Sequence, residues 1–269
     1  MNRQNKLGKQ TVTPKKRLGQ NFLSEIGVIK KLVAAAAIIP GETVLEIGPG
    51  TGNLTAELVK TGNRVVAIEK DPEMASILEE KFHGTANFEL LAGDALAFDE
   101  GIILPPYKIA ANLPFYMASP LIRKFLESKN PPASLTVIVQ KEVAQRACAQ
   151  PPKMNLLAAA IQFYAKPKIV DYISKGCFWP APKVDCAILH LVPFPKTGER
   201  YNADSVAQFF KVMKAGFSQP RKQLAGNLSK GLSINKGKIG QLLAKNNIDP
   251  KQRPETLSVE NWILLSNGI

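Results

Sequence analysis

Short apolar runs alternate with segments of helical spacing through most of the chain. "TVLEIG" (43–48), "RVVAIE" (64–69), "NFELLAGD" (87–94), "YKIAAN" (107–112) and "LTVIVQ" (135–140) are rich in β-branched residues. Each ends in Gly, an acid, an amide or Gln, which is how buried strands stop. Between them, "LTAELVK", "EMASILEEKF" and "SPLIRKFLES" repeat apolar residues three and four apart, as amphipathic helices do. The alternation predicts an α/β fold with a largely parallel, doubly wound sheet. Ligands on such sheets bind beyond the carboxyl ends of the strands, where the polar punctuation falls. "NLLAAAIQFYA" (155–165) predicts a buried helix and "AILHLVP" (187–193) a late strand. "PFPKTGERYNADS" then breaks the pattern, and only helical segments follow: "VAQFFKVMKAGFS", "KIGQLLAKNNI" and "SVENWILLS". The expected organisation is a basic arm over 1–20, an α/β domain over 21–195 and a small all-helical domain over 196–269.

With 269 residues, 45% of them hydrophobic, the chain can bury a sizeable core. Its net charge of +13 becomes informative once located. Residues 1–20 hold six Lys/Arg and no acid, 21–195 hold 17 basic and 17 acidic residues, and 196–269 hold 12 basic and five acidic. A positive excess confined to the two ends points to a polyanion. Nucleic acid is favoured over membrane, because no basic amphipathic anchor is evident. The candidate phosphate contacts are Lys15, Lys16 and Arg17 in the arm and Arg221 and Lys222 near the other end. Cys148, Cys177 and Cys186 show no CxxC spacing, and His83 and His190 are the two histidines, so no metal site is expected. The polar first residues predict no secretory signal, and the longest apolar run, "LVAAAAII", is too short to span a bilayer. A cytoplasmic, monomeric protein is the expectation.

"LEIGPGTGNL" follows the first long strand, and its Gly48, Gly50 and Gly52 allow a tight turn and close approach to a ligand. A glycine loop alone is a weak signal, since some such loops are only turns. Glu69 closes the next strand, 21 residues after Gly48, where a carboxylate can accept both hydroxyls of a ribose. Asp94 ends the third strand and could receive an adenine amino group. Three such residues at three successive strand ends predict a nucleoside pocket. The spacing is GxGxG, with Asn53 where a dinucleotide fingerprint wants its third glycine, and Glu46 precedes the loop. A pyrophosphate needs a helix N-terminus without negative neighbours. The pattern therefore prefers S-adenosylmethionine, a sulfonium without phosphate, over NAD.

"IAANLPFYMASPLI" (109–122) leaves its strand through an amide, a proline and two aromatics. Next to a methyl donor, the Asn112 side-chain oxygen and the Leu113 carbonyl can accept the N–H bonds of an adenine amine. Its lone pair is then directed at the methyl. Pro114 fixes the Leu113 carbonyl, and Phe115 offers a stacking face for a flipped base. A Pro-terminated strand with core aromatics is the alternative. In "GCFWPAPKVDCAIL", Phe178 and Trp179 precede a Pro-x-Pro turn, and either could cover the other face of the base or simply pack in the core.

"KKRLGQNFL", "VLEIGPGTGNLT", "VVAIEKDPEM", "LLAGDAL", "ANLPFYMASPLI", "TVIVQKEVAQR", "FWPAPKVDCAIL" and "FSQPRKQLAGNL" together resemble the KsgA-type rRNA adenine dimethyltransferase family, in order and over nearly the whole chain. The resemblance implies a Rossmann-like methyltransferase sheet with a small C-terminal helical domain. It also implies S-adenosylmethionine-dependent N6,N6-dimethylation of two adjacent adenosines near the 3′ end of small-subunit rRNA, within an immature ribosomal subunit. Its donor-binding positions fall on Asn21, Leu23, Gly48, Glu69, Asp94 and Asn112, and its base-stacking positions on Phe115 and Phe178. Asn21 and Leu23 come from the resemblance alone. Three positions depart from the family: Phe115 stands where Tyr is usual, Cys186 where Ser is, and Pro220 where an arginine is. The rivals are an Erm-like enzyme modifying one adenosine of large-subunit rRNA, a non-catalytic assembly factor, and an NAD oxidoreductase.

Overall fold

The computed structural model describes residues 13–15, 18–197 and 201–269. The five expected strands are all present: β2 (Thr43–Ile47), β3 (Arg64–Glu69), β4 (Phe88–Ala92), β5 (Tyr107–Asn112) and β6 (Ser134–Gln140). They pair in parallel in the order β4-β3-β2-β5-β6. The order reverses at β2, so β2 and β5 flank the switch point where such sheets hold their ligand. Beyond β6 the sheet turns antiparallel through β9 (Cys186–Pro193) and ends on β7 (Ala165–Ile173).

β7 is absent from the sequence reading for a physical reason. Its "AKPKIVDYI" carries Lys166, Pro167 and Lys168, and a proline is tolerated because β7 is the sheet's edge. A two-stranded ribbon, β1 (Phe22–Leu23) with β8 (Phe178–Trp179), was equally illegible.

Helices cover both faces. α1 (Ile26–Ala36) and α2 (Asn53–Val59) pack on one, burying Ile29, Leu32, Leu54 and Leu58 with Val44, Val65, Ile138 and Ile188. α1 also escaped the sequence reading, which took its alanines as part of an apolar run. α4 (Ala118–Glu127), α5 (Lys141–Ala147) and α6 (Leu156–Tyr164) pack on the other. α3 (Pro72–Lys81) starts where its sequence says it should: Asp71 caps Glu73 N–H at 3.2 Å and Pro72 supplies the first turn.

The C-terminal helices are α7 (Ala203–Gly216), α8 (Leu224–Leu232), α9 (Lys236–Lys245) and α10 (Val259–Asn267), and α8 was not anticipated. They share one continuous apolar core with α4–α6. The joint is aromatic: Phe163 of α6 stacks on Phe209 of α7 at 4.1 Å and meets Tyr201 edge-on at 5.6 Å. In α7, Gly216 lets the Trp262 ring lie where a Cβ would be 2.3 Å from it. Through this joint α7 is docked against α6.

Candidate active site

The glycine loop after β2 follows a path that side chains would block. Gly48, Gly50 and Gly52 all have positive φ (66°, 56° and 72°). A Cβ on Gly50 would stand 2.9 Å from the Phe22 ring, and one on Gly52 2.8 Å from Leu78 and Phe82. The loop borders a cleft at the carboxyl ends of β2–β5, with about 920 Å³ of free space counted out to its open mouth. Gly48, Gly50, Glu69, Asp94, Asn112, Leu113, Pro114 and Phe115 all line it, as do Asn21 and Leu23. Of the pocket residues named from the sequence, Gly52, Phe178 and Trp179 do not line it.

Glu69 is 7% exposed, and each of its carboxylate oxygens takes one backbone N–H: Gly50 at 3.1 Å and Asp71 at 2.8 Å. Burial raises its carboxyl above the usual range, while those two bonds work in the opposite direction. Each oxygen keeps a lone pair for a further donor. Asp94 is anchored by Lys70 at 2.7 Å and by Leu96 N–H at 2.9 Å. The Lys70 bond holds its carboxyl below the ordinary range. Both acids therefore stand oriented at the cleft.

Glu46 differs from the sequence reading. It lines the cleft but is 1% exposed, and burial pushes its carboxyl up to about 8, with the Glu69 charge adding to the shift. The Thr55 hydroxyl and the Lys81 ammonium pull the other way without offsetting it. Glu46 Oε2 has no hydrogen-bond partner among the described residues. Burial thus disfavours the negative charge that the sequence pattern places at Glu46.

At the end of β5, Asn112 Nδ2 donates to the Asn21 carbonyl at 2.9 Å. Its Oδ1 is buried with no partner among the described residues. The amide is thereby pinned by its nitrogen, and its oxygen is left as a buried acceptor on a residue that lines the cleft. Met117 N–H bonds the Pro114 carbonyl at 2.9 Å, closing the turn that carries Leu113–Phe115. Phe115 is half-buried, and Tyr116 is the exposed ring of the pair.

Phe178 and Lys15 stand elsewhere than their sequence neighbourhoods suggest. Phe178 is 4% exposed and packs into the core beneath α1 and α2. Its strand β8 pairs with β1 so that Leu23 and Phe178, opposite one another, both point inward, and Trp179 instead stacks on Phe22 at 6.2 Å. Phe178 braces the ribbon rather than facing the cleft. Lys15 is not a free phosphate contact: its ammonium lies 2.6 Å from Asp71 and 3.0 Å from Glu73. Lys16 and Arg17 fall outside the described residues. Arg221 and Lys222 are exposed on a shallow depression before α8, alongside Lys230. Gln20 and Asp71 were missed altogether, and no local signal marks them, because their roles arise from contacts 51 residues apart.

A parallel sheet of this order, with a glycine loop and strand-end acids around one cleft, defines the Rossmann-like methyltransferase class. A dimethyladenosine transferase from Plasmodium falciparum superposes with a TM-score of 0.75 at 25% identity, over 91% of this chain and 95% of that one. The 23S rRNA methyltransferase ErmE shares the fold at a TM-score of 0.73 and 24% identity, over 92% and 99%. The chain belongs to the ribosomal RNA adenine dimethylase family, whose sequence profile matches residues 12–268. Ribosomal RNA small subunit methyltransferase A of Dehalococcoides mccartyi is 44% identical over 255 residues, 94% of this chain and 87% of that protein. The protein of the same name from Moorella thermoacetica is 38% identical over 271 residues, 96% and 93%.

Proposed function

We propose that this protein is an S-adenosylmethionine-dependent rRNA (adenine-N6,N6)-dimethyltransferase. It acts on two adjacent adenosines near the 3′ end of small-subunit rRNA in an immature ribosomal subunit. The observation that carries the chemistry is the buried, unpartnered Oδ1 of Asn112, a residue lining a nucleoside-type cleft. The small-subunit substrate rests on the relatives, several of which carry that name at 37–44% identity.

S-adenosylmethionine fits the residues present. The left-handed glycines leave the cradle open, Glu69 has capacity for a ribose diol, and Asp94 for an adenine amine. When bound, the donor supplies an electrophilic methyl on a sulfonium. Asn112 Oδ1 and the Leu113 carbonyl accept the two N–H bonds of the target amine, which favours a pyramidal nitrogen with its lone pair free for attack. Phe115 stacks on the extruded base. The attacking amine is neutral, and its proton becomes acidic only once the new bond forms, so no side chain has to act as a base before transfer. An amide suits the acceptor role because it stays neutral at every pH.

Among the described residues no helix is long and apolar enough to cross a membrane. We take the protein to act as a cytoplasmic monomer, with residues 196–269 as its rRNA-gripping domain. Incubation with labelled donor and immature small subunits, followed by mapping of modified nucleotides, tests the reading. Two adjacent dimethyladenosines near the 3′ end are expected; small subunits left unlabelled, while naked large-subunit rRNA in a parallel reaction gains a single methylated adenosine, would refute it.

Two further outcomes follow from named side chains. Phe115→Tyr keeps the stacking face and should retain near-parental activity, whereas Phe115→Ala should lose about 1–3 kcal/mol of base stacking. Equal rates for the two would remove Phe115 from the site. Arg221→Ala with Lys222→Ala should weaken rRNA binding and lower the slope of log K against log salt by about one to two. A filter-binding titration at several salt concentrations reads this directly, and an unchanged slope excludes both as phosphate contacts.

A further inference from the structure

Residues 18–23 line the cleft as a strap, and its fastening, which Lys15 shares, lies on one carboxylate. Asp71 accepts Lys15 Nζ at 2.6 Å and Gln20 Nε2 at 2.8 Å. Gln20 Oε1 in turn accepts Lys15 N–H at 2.7 Å, so the two residues grip each other as well as Asp71. Asp71 is 1% exposed. Burial opposes its charge, but the bonds from Lys15 and Gln20 leave its carboxyl below the usual range, so the latch stays ionised at neutral pH. The next strap residue, Asn21, offers the carbonyl that pins Asn112 Nδ2 at 2.9 Å. Farther on, the Leu23 carbonyl accepts Asn53 Nδ2 at 2.9 Å.

The chain of contacts therefore runs from Lys15 and Gln20, through the strap, to the orientation of the Asn112 amide. A carbonyl can receive only an N–H, so Asn21 decides which end of that amide faces the cleft. Among the described residues the Asn112 amide has no other side-chain hydrogen bond, so with the strap displaced a half-turn would present N–H groups where the target amine needs an acceptor. The same Asp71 also donates its backbone N–H to Glu69 Oε1 at 2.8 Å, so the latch and the carboxylate of the nucleoside pocket share one residue.

We propose that Lys15 and Gln20 are positioning residues: latched onto Asp71, they seat the Asn21 carbonyl that turns the Asn112 oxygen toward the target adenine. The amine acceptor is then set only when the strap lies over the methyl-donor cleft. This rests on the reading of Asn112 given above. It also gives Lys15 a role inside the site in place of a phosphate contact.

The test compares the full-length protein with Lys15→Met/Gln20→Ala and with Lys15→Arg. The single-turnover methylation rate, at saturating donor and saturating subunits, should fall about ten- to a hundredfold in the double variant. Lys15→Arg should restore most of it. S-adenosylhomocysteine affinity by calorimetry should weaken in the double variant. The side-chain amide protons of Asn112, read by NMR on asparagine-labelled protein, should lose protection. Affinity for rRNA and its salt slope should not change. A parental single-turnover rate in the double variant, with Asn112→Ala still inactive, overturns the latch and leaves the Asn112 reading standing. A fully active Asn112→Ala overturns both. A salt slope lowered by about one in the double variant would return Lys15 to the phosphate contacts and likewise overturn the latch.

Discussion

Asn112→Ala is expected to lower the single-turnover rate of methyl transfer by about 10²–10³-fold, the usual cost of removing one preorganised polar group from a reacting centre. Affinity for rRNA should stay within about threefold, since the side chain lies at the cleft and no phosphate contact is assigned to it. The variant also leaves the Asn21 carbonyl without its 2.9 Å donor. A buried acceptor left unpaired costs about 1–3 kcal/mol, so a small fall in Tm should accompany the loss of rate. Asn112→Asp is the sharper comparison. It keeps an oxygen toward the target but sets another against the Asn21 carbonyl, where two acceptors repel. It should be at least as impaired as alanine. If aspartate instead worked well, the pinned amide would not be what orders the site. Single-turnover assays beside subunit-binding titrations separate these outcomes, because they report the transition state and the bound ground state independently.

Glu46→Gln should make the protein relatively more stable as the pH rises. In the unfolded chain this carboxyl titrates near 4.5, whereas in the fold burial pushes it up to about 8. Between those values the folded state holds a proton that the unfolded state has released. Stability from this group is therefore complete below pH 4.5, declines as pH increases, and is lost above about 8. Glutamine cannot ionise and escapes the decline. Relative to the parent, the variant should gain about 2–4 kcal/mol between pH 5 and pH 8.5. That corresponds to roughly 5–10 °C in Tm for a chain of this size. The charged neighbours are Glu69, which reinforces the shift, and Lys81, which opposes it while its own pKa is lowered by burial. Thermal melts of both proteins without donor, across that pH range, decide the matter: parallel curves would mean that Glu46 is solvated or paired after all.

The same residue shows the limit of reading chemistry from position alone. Glu46 is visible in "LEIGPG" as an acid beside a glycine loop, and the sequence pattern treats it as charged. Whether it is charged depends on solvent exclusion by α2, β3 and the loop, which no local pattern encodes. Phe178 is similar. An aromatic pair before a Pro-x-Pro turn looks presented to solvent, yet the pairing of β8 with β1 sends Phe178 inward. Lys15 sits in a basic run that reads as a polyanion contact, and the fold pairs it with two carboxylates.

What the sequence determined by itself is the part governed by short-range rules. Apolar runs of strand length and helical spacing defined β2–β6, α2–α4, α6 and most C-terminal helices, because burying one face of each element demands that periodicity. The cleft-lining positions of Gly48, Glu69, Asp94 and Asn112 were legible because each ends a strand, and strand ends in a parallel sheet converge. The tertiary structure alone decided the antiparallel edge, where Pro167 and two lysines disguise β7. It also decided the protonation of Glu46 and the strap that fixes the Asn112 amide. Those depend on contacts between residues far apart in the chain, such as Asn21 with Asn112 across 91 positions. Contacts of that range form through the packing of whole elements, so the residues that make them carry no mark of it in their own neighbourhood.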